Sequence, residues 1–426
     1  MGSQHRIRAA LAVALAAAGL LVGPAAGATP TGAARGWTGT WATAMMRPSP
    51  GFEPNWSEEG FADHTVRQVV RVSTGGALAR IRLSNAFGTQ PLTVTGATVG
   101  RSAGGAAVRP GSLRQLTFRG SRSVTVRPGD ELASDPAPLR VSPLDTLTIT
   151  LYLAKPTGPA TNHMFANATS YRASGDHRAD PRADAFTETT HSWYYLAGVD
   201  VLGAAPRRDA VAAFGDSITD GAASTVDANN RYPDELAEIL AARGEQRGVL
   251  NAGIGGNRVL SDSPCLGARA TTRFGQDVLD EPGVGTVVVL EGINDIGFSA
   301  LPPSEEPCFG TGPEVTAAQL IAGHRELVRQ AHARGLTVIG ATLLPYKGAF
   351  YYTEAGEAVR DEVNDWIRTS GAYDAVVDLD RIMAAPGDPD QLNPAYDSGD
   401  RLHPNDAGYH AMAVAVAPAV DCPGRQ

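Results

Sequence analysis

The spacing of apolar residues changes near residue 205, and this change constrains the fold more than any other feature. From Trp37 onward apolar residues recur with a period of two, as in 79–83 and 147–153, and glycine- and proline-containing turns separate these runs. No convincing helical face precedes residue 205. We therefore predict an antiparallel β-sandwich, of the jelly-roll kind, over residues 37–205.

Residues 206–422 follow a second pattern, in which apolar strands alternate with amphipathic helices. A helix is predicted over 316–334, with a Thr316-x-x-Gln319 capping box and a glycine stop, and another over 354–369. Such alternation is typical of an α/β domain with a parallel sheet. The predicted strands lie near 210–214, 248–252, 285–290, 337–343 and 374–378.

The start of the chain predicts export. A basic beginning, an apolar run from Ala9 to Val22 and small residues ending at Ala28 indicate a signal peptide over 1–28, followed by a flexible mature N-terminus over 29–36. The apolar run is shorter than the roughly 20 residues that a membrane-spanning helix needs, and no later segment approaches that length. We therefore expect a secreted, extracellular protein without stable membrane insertion.

The charge of the chain excludes one class of partner. The net charge is −9, and it becomes −11 when Arg6 and Arg8 leave with the signal peptide, because residues 1–28 contain no acidic side chain. An acidic protein is a poor ligand for nucleic acid, so we expect no nucleic-acid partner. The sequence does not indicate an oligomeric state.

Three cysteines in an exported chain leave one unpaired. Cys265 and Cys308 lie in long loops after predicted neighbouring strand ends, which favours a disulfide between them, while Cys422 lies in the C-terminal tail. The alternative is that all three are reduced, because spacing alone does not fix connectivity.

The stretch Phe214-Gly-Asp-Ser-Ile-Thr-Asp-Gly221 places a hydroxyl directly after the first predicted parallel strand. Ligands bind at the carboxyl ends of such strands, so Ser217 is a candidate nucleophile, and it needs an oriented base. Among the nine histidines, His403 lies at a loop-to-helix junction after the last strand, with Pro404 suited to the first helical turn. Asp400 can bond the other ring nitrogen of His403. The alternatives are an ordinary turn for Ser217 and a helix cap for Asp400.

Two further strand ends offer hydrogen-bond donors. Asn251-Ala-Gly-Ile-Gly-Gly-Asn257 follows the second parallel strand, and its paired glycines allow the backbone to present an N–H group to a ligand. Asn294 follows the third strand and offers a side-chain amide. Acyl transfer needs such donors for the developing oxyanion. A glycine turn and a helix start are the structural alternatives.

The order Gly-Asp-Ser, Asn-x-x-x-x-Gly, Gly-x-Asn-Asp and Asp-x-x-His-Pro resembles the SGNH hydrolases, also called the GDSL esterase/lipase family, over roughly residues 209–420. The resemblance implies a flavodoxin-like three-layer fold. It implies Ser217 as nucleophile, His403 as base and Asp400 as the residue that orients the base. It also implies an oxyanion hole made by the Ser217 N–H, the Gly256 N–H and the Asn294 amide, with Gly255 as a neighbouring candidate.

A catalytic metal is the competing chemistry for the aspartates and histidines of these stretches. The sequence contains no His-Glu-x-x-His or comparable ligand spacing, and the serine mechanism needs no ion, so we expect no metal and no cofactor. The aromatic residues Tyr346 and Phe350 follow the fourth strand and are candidates for contact with substrate, with packing inside the loop as the equal alternative. Residues 193–195 are expected in the core or on the sheet surface.

These observations predict a secreted serine esterase that hydrolyses carboxylic esters, with acyl groups on carbohydrate or small alcohols, through an acyl-enzyme. The stretch 290–297 and the preceding β domain look like a secreted branch similar to xylan-cluster acylesterases. The alternatives are a lipase or phospholipase, an acyltransferase, and a polysaccharide-binding protein without activity. A two-domain organisation, with the boundary between 205 and 206, completes the prediction.

Overall fold

The computed structural model describes residues 36–203, 209–302, 308–309 and 314–421. The predicted signal peptide, nearly all of the predicted N-terminal segment, the predicted domain boundary and Cys422 lie outside these residues. Residues from Gly36 onward form one compact unit. We call residues 36–203 the antiparallel region and residues 209–421 the parallel region.

The antiparallel region consists of strands, turns and bends, as the period-two spacing predicts. Its strands, in chain order, are β1 (Trp37–Ala42), β2 (His64–Arg71), β3 (Leu78–Ser84), β4 (Leu92–Val94), β5 (Gly96–Gly104), β6 (Ala107–Val108), β7 (Arg114–Gln115), β8 (Val124–Val126), β9 (Glu131–Ala133), β10 (Thr146–Leu153), β11 (Asn162–His163), β12 (Ser170–Ser174), β13 (Glu188–Thr190), β14 (Trp193–Tyr194) and β15 (Leu196–Leu202).

Two antiparallel sheets enclose a common core in this region. One sheet has the strand order β1-β15-β3-β9, and the other has the order β13-β12-β2-β10-β5-β6 with β7 paired to β5. The short pairs β11-β14 and β4-β8 complete the region. Apolar side chains that alternate along the strands, such as Leu147, Ile149 and Leu151 of β10, are fully buried between the sheets.

The parallel region alternates strands and helices. Its elements are β16 (Ala210–Gly215), α1 (Ser217–Asp220), α2 (Tyr232–Ala242), β17 (Val249–Gly253), α3 (Ala270–Phe274) continued by the π-helix Gly275–Leu279, β18 (Val284–Leu290), α4 (Ile293–Ser299), α5 (Ala317–Ala333), β19 (Thr337–Ala341), α6 (Glu354–Thr369), β20 (Ala375–Val377), α7 (Leu379–Met383), β21 (Ala384–Ala385), β22 (Asp388–Leu392) and α8 (Asp406–Val420).

The parallel sheet has the strand order β17-β16-β18-β19-β20, and every pairing between these strands is parallel. The first strand therefore lies between the second and the third, which is the doubly wound order of flavodoxin-like folds. The sheet is apolar along its central strands, as expected when helices cover both faces. This confirms the predicted fold class: an α/β region with a parallel sheet, preceded by an antiparallel β region.

The helix predictions agree closely with the structure at two places and differ at a third. Thr316 caps α5 in a capping box with Gln319, and α6 spans the predicted residues 354–369. The last helix, however, begins at Asp406 with Asn405 as its N-cap, so Pro404 precedes the cap instead of occupying the first turn. The Asn405 side chain accepts a hydrogen bond from the Gly408 N–H and fixes that boundary.

The antiparallel and parallel regions are joined by backbone and charged contacts. The Gly39 N–H in β1 donates to the Pro282 carbonyl at 2.7 Å. Arg82 in β3 forms a bidentate ion pair with Glu281, at 2.9 and 2.5 Å. None of the helices that the structure describes has the length and apolarity needed to cross a bilayer.

Candidate active site

The strand order determines where the predicted site residues can meet. In a doubly wound sheet, a crevice opens beyond the carboxyl ends of the strands at the point where the winding direction reverses. Here that point lies between β16 and β18. Ser217 follows β16, Asn294 follows β18, and Gly256 follows β17 on the other side of β16. Three of the scattered stretches of sequence are therefore brought to one edge of the sheet.

Ser217 is the first residue of the short helix α1, directly after β16. Asp216 caps this turn, because its carboxylate accepts a hydrogen bond from the Ile218 N–H at 2.9 Å. The helix ends after one turn at Gly221, whose φ of 101° is in the left-handed region. The turn holds the serine hydroxyl at the open end of the sheet, and Ser217 keeps 8% of its surface exposed.

His403 lies within hydrogen-bond distance of this hydroxyl, and Asp400 lies within hydrogen-bond distance of His403. The His403 Nε2 atom is 2.8 Å from Ser217 Oγ, and its Nδ1 atom is 2.6 Å from Asp400 Oδ2. The second carboxylate oxygen of Asp400 accepts hydrogen bonds from the Leu402 and His403 backbone N–H groups. The backbone of this loop thus holds Asp400 in place, and Asp400 in turn orients the His403 ring.

The hydrogen bonds of Asp400 determine the tautomer of the imidazole. Partial burial would raise the pKa of Asp400, but the hydrogen bond and charge of His403 and the two backbone N–H groups outweigh it and hold the pKa well below its usual range. An ionised carboxylate can only accept, so His403 Nδ1 carries the proton. In the neutral ring, Nε2 is then free to accept the Ser217 hydroxyl proton.

The loop after β17 presents one free backbone N–H group next to Ser217. The Gly255 N–H donates to Asp220 Oδ2 at 3.0 Å and is not available to a ligand. For the Gly256 N–H, no acceptor exists among the residues that the structure describes. Gly256 lines the same cavity as Ser217, and its φ of 73° is a conformation that favours glycine. Of the two candidate glycines, the structure presents the N–H of Gly256.

Asn294, in the first turn of α4, lines the same cavity. Its side-chain nitrogen donates to the Asn257 carbonyl at 3.1 Å, and its oxygen accepts from the Tyr351 hydroxyl at 3.2 Å. These two bonds fix the amide of Asn294, a residue that is 2% exposed, and leave one N–H of the side-chain nitrogen for a ligand. The sequence singled out Asn294 but not Tyr351, because an aromatic residue in a loop carries no motif.

A buried contact between His163 of the antiparallel region and Asp220 of the parallel region supports the turn of Ser217. His163 Nε2 is 2.9 Å from Asp220 Oδ1, and its Nδ1 is 2.8 Å from the Ala44 carbonyl. Burial would lower the pKa of His163, but the charge of Asp220 and the hydrogen bonds to Asp220 and Ala44 outweigh it and raise the pKa. Sequence reasoning missed this pair, because no spacing connects residues of two different regions.

A second group of buried charges lies beneath the nucleophile. Burial and the nearby Asp216 raise the pKa of Glu291 far above its ordinary value, and burial raises the pKa of Asp216 to about 6. Arg273 of α3 lies beside them and donates hydrogen bonds to two backbone carbonyls. One belongs to Gly215, the last residue of β16, and the other to Ala252, the next-to-last residue of β17. This arginine therefore ties together the two strand ends that carry Ser217 and Gly256.

The site opens into a cavity of about 300 Å³ lined by the predicted groups and by aromatic rings. Phe350 lines the cavity and is 69% exposed, whereas Tyr346 is fully buried and packs against Tyr351 and Tyr352. For Tyr346 the alternative of packing inside the loop therefore holds, and Tyr351 is the tyrosine that lines the cavity. Residues 193–195 lie in the core of the antiparallel region.

Two further observations concern a disulfide near the site and the possibility of a metal site. Cys265 and Cys308 form a disulfide, with an S–S distance of 2.03 Å, that joins two loops at the site. Within the described ranges, no group of three or more histidine, cysteine, aspartate or glutamate side chains is arranged to hold a metal ion.

A serine hydroxyl, an imidazole and an ionised carboxylate, linked in that order beside backbone and amide N–H groups, can perform nucleophilic acyl transfer. The fold and the site thus define the class as serine hydrolases on a doubly wound α/β sheet. Residues 213–411 match the model of the GDSL-like lipase/acylhydrolase family. The site and this match identify the protein as a carboxylic ester hydrolase.

Solved structures similar to this chain include a lipase/acylhydrolase from Enterococcus faecalis, with 20% identity and a TM-score of 0.37 over 51% of this chain and 98% of that one. An acetylxylan esterase from Geobacillus stearothermophilus has 21% identity and a TM-score of 0.38, over 52% and 99% of the two chains. A GDSL-like lipase from Bacteroides thetaiotaomicron has 18% identity and a TM-score of 0.37, over 50% and 88%. No curated protein matches the sequence.

Proposed function

We propose that this chain is an exported serine esterase in which Ser217 attacks an ester carbonyl and forms an acyl-enzyme. The observation that carries this proposal is the continuous chain from Ser217 Oγ to His403 Nε2, at 2.8 Å, and from His403 Nδ1 to Asp400, at 2.6 Å. His403 takes the hydroxyl proton as Ser217 attacks, and Asp400 stabilises the imidazolium that forms.

The developing oxyanion is the second element of the mechanism. The carbonyl oxygen becomes negative as Ser217 adds, and the N–H groups of Ser217 and Gly256 and the side-chain amide of Asn294 stabilise that charge. His403 then gives its proton to the leaving alcohol. The free Gly256 N–H and the fixed amide of Asn294 support these roles, because neither has to rearrange during the reaction.

The second half of the reaction uses the same residues in reverse. Water takes the place of the alcohol, His403 removes a proton from it, and the resulting hydroxide attacks the acyl-enzyme carbonyl. The imidazole then returns the proton to Ser217 Oγ, and a carboxylic acid leaves.

Export is the remaining part of the proposal. It is supported by the apolar run and small residues of 1–28 and by the Cys265–Cys308 disulfide, since disulfides persist in oxidising compartments. Detection of the processed chain in the culture medium, with an N-terminus near residue 29, tests it. A chain that keeps its first 28 residues and stays inside the cell would contradict export.

Hydrolysis of p-nitrophenyl acetate tests the esterase activity. We expect turnover by the wild type and a loss of about 10⁴-fold or more in Ser217→Ala, with an unchanged melting temperature. Ser142→Ala, a change at an exposed serine of the antiparallel region, is the matched control and should keep full activity. Retained activity in Ser217→Ala would refute the proposal, and absent turnover together with retention on insoluble polysaccharide would favour a binding protein.

A further inference from the structure

Six aromatic side chains form a continuous arc along the lining of the active-site cavity. Neighbouring ring centroids in the arc lie 4.4 to 5.8 Å apart, distances at which aromatic rings pack favourably. We call this arc the aromatic rim; it runs through Phe165, Phe52, Phe309, Phe298, Tyr351 and Phe350.

The rim is assembled from both regions of the molecule. Phe52 and Phe165 belong to the antiparallel region and stack on each other at 5.7 Å, with an interplanar angle of 12°. Phe165 also packs on Gly255, where a Cβ atom would lie 2.5 Å from the Phe165 ring. Phe309 follows the disulfide-bonded Cys308 in the chain. The rim is thus anchored by the oxyanion loop at one place and by the disulfide at another.

Two rim residues are unusually exposed for their type. Among the described residues, Phe350 and Phe52 are the most exposed large hydrophobic side chains, at 69% and 52%. Exposed aromatic rings grouped beside a concave site mark a surface that covers a ligand. Their position beside the Ser217 hydroxyl identifies the ligand as the ester itself.

The lining lacks the polar groups that a sugar would need. Apart from Ser217, Asn294 and His403, the described lining side chains are apolar or aromatic, and none carries a charge. Burying sugar hydroxyls against phenyl rings without hydrogen-bond partners is costly, whereas burying a hydrocarbon there is favourable. The cavity therefore discriminates against an ester whose carbohydrate part is enclosed.

We propose, building on the esterase activity proposed above, that the substrate carries an aromatic ring or an apolar chain that packs within the aromatic rim. Phe52 and Phe165 of the antiparallel region are then specificity-determining residues. The shared chemistry is a hydrophobic group attached to the scissile ester, on either the acyl or the alcohol side.

Two ester series test this proposal and separate its two sources. In one, p-nitrophenyl esters carry acyl chains of increasing length; in the other, acetate esters carry alcohols of increasing apolar size. Each fully buried methylene is worth about fourfold in kcat/KM, so hexanoyl should exceed acetyl more than tenfold if the acyl group occupies the rim. A rise confined to the alcohol series would assign the rim to the alcohol side. A flat profile in both series, or a preference for acetylated xylan, would overturn the proposal.

The exposed phenylalanines provide the variants. Phe52→Ala and Phe350→Ala should reduce the ratio of hexanoate to acetate activity by about fivefold or more, because each removes apolar contact area with the longer chain. Phe87→Ala, at a phenylalanine of the antiparallel region that does not line the cavity, is the matched control and should keep the wild-type ratio. An unchanged ratio in both rim variants would contradict the proposal.

The outcomes separate this proposal from the esterase proposal. Loss of acetate hydrolysis in Ser217→Ala, with no dependence on chain length in the wild type, would keep the esterase and reject the role of the rim. Acetate hydrolysis that survives in Ser217→Ala would reject the esterase mechanism itself.

A separate observation concerns the buried chain from Ala44 through His163 and Asp220 to Gly255. Both ring nitrogens of His163 face acceptors, since Nδ1 meets a carbonyl and Nε2 meets a carboxylate, and the side chain is 1% exposed. Asp220 uses its other oxygen to accept the Gly255 N–H at 3.0 Å. The next peptide carries the Gly256 N–H that faces the cavity.

We infer that His163 is a positioning residue that acts through Asp220 and holds the Gly255–Gly256 peptide in the orientation that stabilises the oxyanion. Ion pairs removed from solvent hold geometry well, and misplacing a catalytic group by about 1 Å can cost on the order of 10²-fold in rate. The antiparallel region therefore contributes to the reaction as well as to the wall of the cavity.

Kinetics of His163→Leu and Asp220→Asn test this inference. We expect kcat to fall about tenfold to a hundredfold with KM nearly unchanged, and the affinity for a boronic acid transition-state analogue to fall by a similar factor. His177→Gln, at a histidine of the antiparallel region whose ring pairs with Asp180 away from the cavity, is the matched control. Asp220→Asn removes the negative charge that pairs with His163 and remains informative if His163→Leu does not fold. Wild-type kcat and analogue affinity in Asp220→Asn would overturn the inference.

Discussion

The two regions of this molecule contribute to one site in different ways. The parallel region supplies every group that we propose to react or to stabilise charge, all at the carboxyl edge of its sheet. The antiparallel region supplies side chains that reach the site from outside: Phe52 and Phe165 in the cavity wall, and His163 behind Asp220. The comparison teaches that the groups we propose to react come from one region, whereas the wall of the cavity and the support of the site draw on both.

The separation also explains which features could be predicted from the sequence. A nucleophile after a strand requires a tight turn, and Gly-Asp-Ser provides one with its own cap, so the position of Ser217 follows from local residues. The same holds for α5, whose capping box fixes its start at Ala317. Local hydrogen bonds determine these features, and local sequence reveals them.

The contribution of the antiparallel region could not be predicted, because it depends on tertiary packing. Phe165 is one apolar residue in a loop, and only the folded chain puts its ring against Gly255. Arg273 likewise gives no sequence signal, although it joins two strand ends through their carbonyls. Tyr346 and Tyr351 show the limit most clearly, since both lie in one aromatic stretch and only Tyr351 faces the cavity.

The largest expected effect tests the catalytic role that we assign to His403 of the parallel region. His403→Gln should lower kcat for p-nitrophenyl acetate by about 10⁴-fold, because the Ser217 hydroxyl loses its proton acceptor. His410→Gln, a change on α8 at a half-exposed histidine, is the control and should retain activity. A loss below tenfold in His403→Gln would show that another group serves as base.

The next effect concerns the Arg82–Glu281 ion pair that joins the two regions. Arg82→Ala should lower the free energy of unfolding by about 3–5 kcal/mol, because it leaves the buried carboxylate of Glu281 without its arginine, whereas Asp200 keeps its pair with Arg80. Arg329→Ala removes an exposed ion pair on α5 and should leave the free energy of unfolding nearly unchanged, because solvent screens the pair. Urea unfolding measures the stability of both variants, and equal losses would contradict a structural role for the Arg82–Glu281 ion pair.

A smaller effect is expected at the oxyanion amide. Asn294→Ala should lower kcat by about 10²- to 10³-fold with little change in KM, because the amide acts on the transition state. Tyr351→Phe removes only the hydroxyl that fixes the amide oxygen and should cost less, about two- to tenfold. If Tyr351→Phe cost more than Asn294→Ala, the assigned roles of the two residues would be wrong.

The smallest effect is expected from the removal of metal ions, which should not change activity. Prolonged treatment with EDTA should leave the rate of ester hydrolysis unchanged, because the proposed mechanism uses a serine and an imidazole and requires no ion. A clear loss of activity that a divalent cation restores would contradict the mechanism and would assign the aspartates of the site to a metal.

Covalent labelling of the wild type with a fluorophosphonate, followed by mass spectrometry of the peptides, tests the central claim most directly. The account predicts a single phosphonyl adduct on Ser217 that forms as esterase activity disappears, and no adduct in His403→Gln over the same time, because the hydroxyl is activated by the imidazole. An adduct on another residue, or full esterase activity in protein completely labelled at Ser217, would contradict it.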